Sequence, residues 1–190
     1  MEAVITDQIF DKINFKEKSF QKGEYENCSF NNCDLSETDL AEVIFIDCIF
    51  SGCNLSLAKL HQTVFRDVRF KDCKMLGLRF DDCNTYGLSF SFENCTLNHS
   101  SFYQTKIKKT VFINSQLQEA DFTACDLSGA VLTNCNFRDA KFENSILEKA
   151  DLRTSYNYSI DPEMNKIKKA KFSLTAVTGL LDKYDIIIEN

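Results

Sequence analysis

Nine cysteines and two histidines are the residues of this 190-residue chain whose types could do chemistry unaided. Thiolates can hold a metal, pair as disulfides or act as nucleophiles. Their spacing argues against all three. Cys28, Cys33, Cys48, Cys53, Cys73 and Cys83 each stand two residues before a multiple of five, and Cys95, Cys125 and Cys135 keep that place in a frame shifted by two. No C-x₂-C pair of the zinc type occurs. A disulfide needs converging side chains, whereas equivalent positions of a repeat point the same way. The thiols therefore read as small apolar filler. His61 and His99 each follow a large apolar repeat position, with no Ser or Cys nucleophile arranged beside them in sequence. Six scattered glycines make no phosphate-cradling loop. The carboxylates fall on turn positions, where no pocket shifts their pKa. No catalytic residue, metal site or cofactor is expected.

The positions that carry the cysteines belong to a longer pattern. The residue two places after each is large and apolar, from Ile5, Phe10, Phe15 and Phe20 through Phe80, then from Phe92 through Leu152, with Thr85 the exception. Two places before each such centre the residue is usually small; exceptions include Gln8, Lys18, Leu78 and Phe90. A period of five fits neither a helix nor a flat strand, and internal repetition takes precedence over local propensity. One large and one small inward residue per five describes a chain that turns a corner at every repeat. Phe10, Phe30, Phe50 and Phe70 recur at twenty-residue steps, so four repeats close one coil. Asn94, Asn114 and Asn134, with Asn32 and Asp72 in the earlier frame, mark one corner where stacked side chains can hydrogen-bond along a ladder.

Ala120-Asp121-Phe122, Cys125-Asp126-Leu127, Cys53-Asn54-Leu55 and Ala150-Asp151-Leu152 resemble the A(D/N)LXX motif of the pentapeptide-repeat family. The resemblance spans roughly residues 3 to 152. It implies an all-β, right-handed quadrilateral β-helix of about seven to eight coils, a rod ~35 Å long at the usual rung spacing. Within the family, the segments Phe70–Phe80 and Asn157–Phe172 look most like the topoisomerase-protecting group of Qnr, McbG and MfpA. That group implies a non-enzymatic rod, a DNA mimic, that binds DNA gyrase or topoisomerase IV and protects it from quinolones or toxins. It also implies a homodimer joined through the C-terminal end. The chain departs from the group in its mixed charge and in having a two-residue insertion where Qnr proteins carry long loops. The alternative is a cytoplasmic scaffold or regulatory interaction module unrelated to topoisomerases.

Net charge is −6. Residues 1–100 hold sixteen acidic and ten basic residues, while residues 101–155 hold seven of each and residues 156–190 five of each. With no basic stripe legible along the chain, direct nucleic-acid binding is not expected. The first residues lack the basic and apolar regions of a signal peptide, and no apolar run has membrane-spanning length. Nine cysteines, an odd number, then suit a reducing cytoplasm.

A solid rod has no cavity, so function is expected on its surface, where the pattern breaks. Between Thr85 and Phe92 the spacing is seven rather than five. Tyr86, Gly87 and Leu88 in this 86–91 bulge, with Asp47, Asp67, Asp72, Asp81 and Asp82, form the candidate partner surface. Inside the bulge, Phe90 or Leu88 can fold inward. Ile44, Val64, Ile46 and Ile49, and separately Val111, Val131 and Ile113, are outward apolar residues. Residues 1–172 form the rod, with an irregular last coil over 153–172 that holds Pro162 and the basic run Lys166–Lys171. Residues 173–190 read as a cap: a helix from Ser173 as N-cap through Tyr184, then a strand over Asp185–Glu189. Leu174, Val177, Leu181, Tyr184, Ile186 and Ile188 are the candidate dimer interface.

Overall fold

Corners set this architecture. At most corners the residue two places after the centre adopts the left-handed conformation, with φ of 53° at Asn27 and Asn32, 51° at Asp47, 50° at Asn114 and 53° at Asn134. Asn and Asp tolerate that region best among residues with a side chain, which accounts for their abundance there. At position 52 the corner is Gly, with φ +65°, and a Cβ there would stand 2.5 Å from Asn32 Oδ1, which would have to turn aside.

The computed structural model describes residues 3–189. Parallel strands stack at the expected twenty-residue register. One side of the coil is a sheet of β1 (Ala3–Thr6), β3 (Gly23–Glu26), β5 (Ile44–Ile46) and β7 (Val64–Arg66). The next side is a seven-stranded sheet of β2 (Ile9–Asp11), β4 (Ser29–Asn31), β6 (Ile49–Ser51), β8 (Val68–Lys71), β9 (Phe90–Glu93), β10 (Val111–Ile113) and β11 (Val131–Thr133). Single bridges such as Asp34↔Asn54↔Lys74 and Arg79↔Ser101↔Asp121 complete the other two sides. The register steps by twenty until Phe70 pairs with Phe92, where the two inserted residues are absorbed.

Inward side chains fill the bore. Phe10, Phe30, Phe50, Phe70, Phe92 and Phe112 form one stack, with ring centroids 4.7, 4.6, 5.2, 5.3 and 4.8 Å apart. Phe80, Phe102, Phe122 and Phe142 form a second at 4.6, 4.9 and 5.2 Å. Thr85 is exposed, and Phe90 folds into the bore in its place, packing 5.2 Å from Phe80 and 5.1 Å from Phe92. The corner ladder also forms: Asn134 donates to Asn114 at 2.9 Å, Asn114 to Asn94 at 3.1 Å and Asn94 to Asp72 at 2.9 Å.

The C-terminal region corrects two expectations. No α-helix follows Ser173. Its Oγ accepts the Ala176 N–H at 3.2 Å and caps one turn, and the rest is two short 3₁₀ turns, Val177–Leu180 and Asp182–Tyr184. Thr175, Val177 and Thr178 are β-branched, and Gly179 costs about 1 kcal/mol in a helix interior. Gly179 is needed for contact instead: a Cβ there would lie 2.0 Å from the Tyr158 carbonyl oxygen, and its own carbonyl accepts the Ile160 N–H at 2.9 Å. Nor do Asp185–Glu189 form a strand. Asp185 turns left-handed at φ 48°, and the residues after it pair with no rung. The cap still covers the last coil. Ala176 and Leu180 pack on the core, and Lys183 bridges Asp161 at 2.8 Å and Glu163 at 2.6 Å.

Candidate interaction surfaces

The sequence-selected chemistry lies in two environments. All nine cysteines are free and buried. Five of them, Cys33, Cys53, Cys73, Cys95 and Cys135, share one column with Ser115 and Ser155, and this column does more than fill space. At most corners the backbone closes its own turn, as where the Thr38 N–H meets the Leu35 carbonyl at 3.1 Å. At the five cysteine corners of this column no such bond forms, although it does at Cys83 and Cys125. The thiol of one coil instead serves the coil before it. Cys53 Sγ accepts the Cys33 N–H at 3.4 Å and donates to the Phe30 carbonyl at 3.2 Å. Ser115 Oγ accepts the Cys95 N–H at 3.2 Å, and Ser155 Oγ accepts the Cys135 N–H at 3.1 Å. The filler reading is thus incomplete: these positions need a small side chain that both donates and accepts.

Burial pushes several of the thiols up, Cys48 and Cys125 to about 12 and Cys135 to about 11. Since these folded values exceed the unfolded value of about 8.5, their contribution to stability is complete below about pH 8.5 and is lost as pH climbs toward 11–12. Urea midpoints should accordingly hold steady between about pH 6 and 8 and fall above about pH 9. Iodoacetamide should label the unfolded chain and spare the native one. Labelling of native protein at rates typical of free thiols would contradict this.

His61 and His99 stand exposed on the outer surface, with His99 Nδ1 3.3 Å from Glu119. Among the described residues no group of three His, Cys, Asp or Glu side chains could hold a metal. A recess of about 530 Å³ opens at the N-terminal mouth beside Ile5, Phe10, Phe15 and Tyr25.

The 86–91 bulge is built from hydrogen bonds. Asn84 N–H bonds the Thr63 carbonyl, Tyr86 N–H bonds Asn84 Oδ1, and Ser89 N–H bonds the Phe65 carbonyl, each at 2.9 Å. Tyr86 is thereby held outward, 79% exposed, with the Arg66 guanidinium 5.7 Å from its ring centre. Leu88 is half-buried on the core.

The five candidate aspartates do not gather into one patch. Asp47 and Asp67 share a corner beside the bulge, where Ser89 Oγ donates to Asp67 at 3.2 Å. Asp72 lies in the asparagine ladder at another corner. Asp81 and Asp82 lie on a third and are neutralised by Arg79 at 2.6 and 3.2 Å.

At the C-terminal end, Leu174 (90% exposed), Tyr184, Ile186 and Ile188 face outward, while Val177 and Leu181 are half-buried. Ile187, 89% exposed, belongs with the outward residues, although sequence spacing did not select it.

A family model for the pentapeptide repeat region matches residues 23–91 and 88–152. The chain belongs to this family. Among solved structures, two trypsin-treated variants of QnrB1, a plasmid-mediated fluoroquinolone resistance protein, share its fold. One covers 99% of this pentapeptide repeat chain and 100% of its own, at 19% identity and a TM-score of 0.64. The other covers 100% of both at 19% identity and 0.63. HetL, a pentapeptide repeat protein involved in heterocyst differentiation regulation in the cyanobacterium Nostoc sp. strain PCC 7120, covers 90% of this chain and 87% of its own, at 13% identity and 0.52. At these identities the likeness is one of fold. No curated protein sequence matches the chain. No helix among the described residues is long and apolar enough to cross a membrane.

The pentapeptide rod also carries a basic surface that the linear sequence hid. Lys106, Lys108, Lys109, Lys149, Lys166 and Lys168 are spread over more than sixty residues, yet bridges Lys106↔Asp126↔Ile146↔Lys166 bring them to one side of the rod, on three of four stacked coils. The expectation that no basic stripe exists does not hold, because a twenty-residue coil collapses sequence distance into rung spacing.

Proposed function

We propose that this protein is a non-enzymatic rod that acts by binding a protein partner in the cytoplasm. The observation that carries the reading is Tyr86, held 79% exposed over Arg66 at mid-rod on a scaffold whose interior is solid. A rigid, pre-positioned aromatic is the commonest kind of binding anchor. The fold shared with a fluoroquinolone resistance protein makes DNA gyrase and topoisomerase IV the first partners to test. A tail-to-tail homodimer through Leu174, Val177, Leu181, Tyr184, Ile186 and Ile188 belongs to the same proposal. It is supported by the apolar exposure of that end.

The test is gyrase supercoiling inhibited by ciprofloxacin, with and without this protein. Rescue is expected, and Tyr86→Ala should raise the concentration needed by about tenfold or more without altering the melting curve. In light scattering, Leu174→Asp with Ile187→Asp should halve the mass. Neither binding nor rescue at micromolar protein removes the topoisomerase reading. It leaves a regulatory interaction module, which the dispersal of the aspartates over three corners and the basic surface both favour. An unchanged mass removes the C-terminal dimer.

A further inference from the structure

One side of the rod is divided by charge. It is the side of β1, β3, β5 and β7, continued by the bridges from Lys106 to Lys166. Its N-terminal half presents Asp7, Glu24, Glu26, Asp47 and Asp67, with Arg66 the one cation. Its C-terminal half presents Lys106, Lys108 and Lys109 on one coil, Lys149 two coils on, and Lys166, Lys168 and Lys169 on the next, all exposed, with Asp126 and Glu148 between them. The halves meet at the bulge, where Asp47, Asp67, Ser89, Lys108 and Lys109 line a common recess of about 300 Å³.

Nearly all the charges on this side lack an intramolecular ion pair, and they are sorted by sign. Most ion pairs lie on the other sides: Lys16 with Glu37, Lys22 with Asp39, Lys71 with Glu93, Arg79 with Asp81, Arg153 with Asp151, Lys183 with Asp161. Among the described residues the single ion pair on the divided side is Lys108–Asp126 at 3.2 Å. Like charges thus gather on nearby rungs with only Arg66 among the acids and Asp126 and Glu148 among the lysines to offset them.

We infer that this side docks against the same side of a second copy, the two rods antiparallel. A two-fold axis lying along the strand direction brings each strand position opposite its own equivalent and inverts coil order, as a self-complementary interface requires. One register matches the outer coils of the side. It sets Glu24 and Glu26 against Lys166 and Lys168, Asp47 against Lys149, and Ile44 against Ile146. The same register puts the Tyr86 bulge opposite the coil of Lys106 and Lys108, where a tyrosine face can accept a lysine ammonium. Parallel rods facing through this side would oppose acid to acid. A face about 40 Å long and about 10 Å wide at the usual rung spacing buries on the order of 800 Å² in the pair, below the standard interface. The association is therefore weak, concentration-dependent and sensitive to salt.

Sedimentation velocity on the full chain at about 0.05 M and about 0.5 M salt reads this out. Self-association through this side should weaken at least tenfold at the higher salt, whereas association through the apolar C-terminal end should not weaken. The triple reversals Glu24→Lys/Glu26→Lys/Asp47→Lys and Lys149→Glu/Lys166→Glu/Lys168→Glu should each lose the salt-sensitive step, and an equimolar mixture of the two should regain it as a heterodimer. These positions are on the outer surface, so both variants should keep the melting curve of the parent. Salt-independent mass, or a mixture that stays apart, overturns the inference. So does salt-sensitive capture of a short DNA duplex that the lysine reversals abolish while self-association never forms, which would make the basic half a phosphate-backbone site.

Discussion

Phe50→Ala should destabilise the rod by about 3–5 kcal/mol, a large share of the stability of a domain this size. Phe50 is fully buried, stacked 4.6 Å from Phe30 and 5.2 Å from Phe70, and edge-on to Phe45 at 5.3 Å. Removing its ring opens a void bounded by three aromatic rings on adjoining rungs and sides. Those rings are held by strand pairing above and below, so they cannot collapse inward without breaking the register Phe30↔Phe50↔Phe70. In a solenoid each coil is stabilised by its two neighbours, so a lesion at mid-stack uncouples the coils on either side. Urea denaturation should show a lower midpoint and a broader transition. Phe50→Leu should cost under about 1.5 kcal/mol, because leucine already serves as centre at Leu35, Leu55 and Leu97. A loss under about 1 kcal/mol for the alanine variant would mean that the bore adapts, contrary to the tight stack.

Cys53→Ala should cost about 2–3 kcal/mol and Cys53→Ser less than about 1 kcal/mol. The difference separates filler from hydrogen-bonding rung. Alanine matches most of the thiol's bulk but leaves the Cys33 N–H without its acceptor inside the rod, and it removes the thiol's bond to the Phe30 carbonyl, which lies in the ladder with β6. A buried amide left unpaired bears its full desolvation cost. Serine restores both bonds, and the same column already uses it at Ser115 and Ser155. The reciprocal pair, Ser115→Ala and Ser115→Cys, should follow the same order at the Cys95 corner. Should Cys53→Ala prove the more stable variant of the two, the thiols are space-fillers after all and some other group, a water included, satisfies the Cys33 amide.

Cost and benefit at the corners also explain how much was legible beforehand. Phase-locked cysteines, twenty-residue phenylalanine columns and corner asparagines each depend on local geometry repeated many times. A linear string displays such repetition directly, and the strands, stacks and ladder followed it. The C-terminal helix and strand were misread because a single occurrence has no repetition to average over. Apolar residues at helical spacing from Leu174 to Tyr184 suggested a helix, while one contact, Gly179 against Tyr158, dictated tighter turns. Phe90 shows an intermediate case: its size marked it as an exception, and the vacancy at Thr85 supplied the space it fills.

Sequence alone determined the period, the number of sides per coil, the residues that face the bore and the place where the frame slips, because each follows from which side chains must leave water at every fifth position. Tertiary structure decided what the cysteines do and what the surface offers. Hydrogen bonding at a corner depends on the coil above, twenty residues away, so the thiols' role as rungs emerged only when Cys33 met Cys53. Charge depends on the same stacking: lysines strewn from Lys106 to Lys169 and acids from Asp7 to Asp67 became two opposed halves of one side only when the chain was wound. Coiling turns sequence distance into rung distance, and at rung distance charges and hydrogen bonds act.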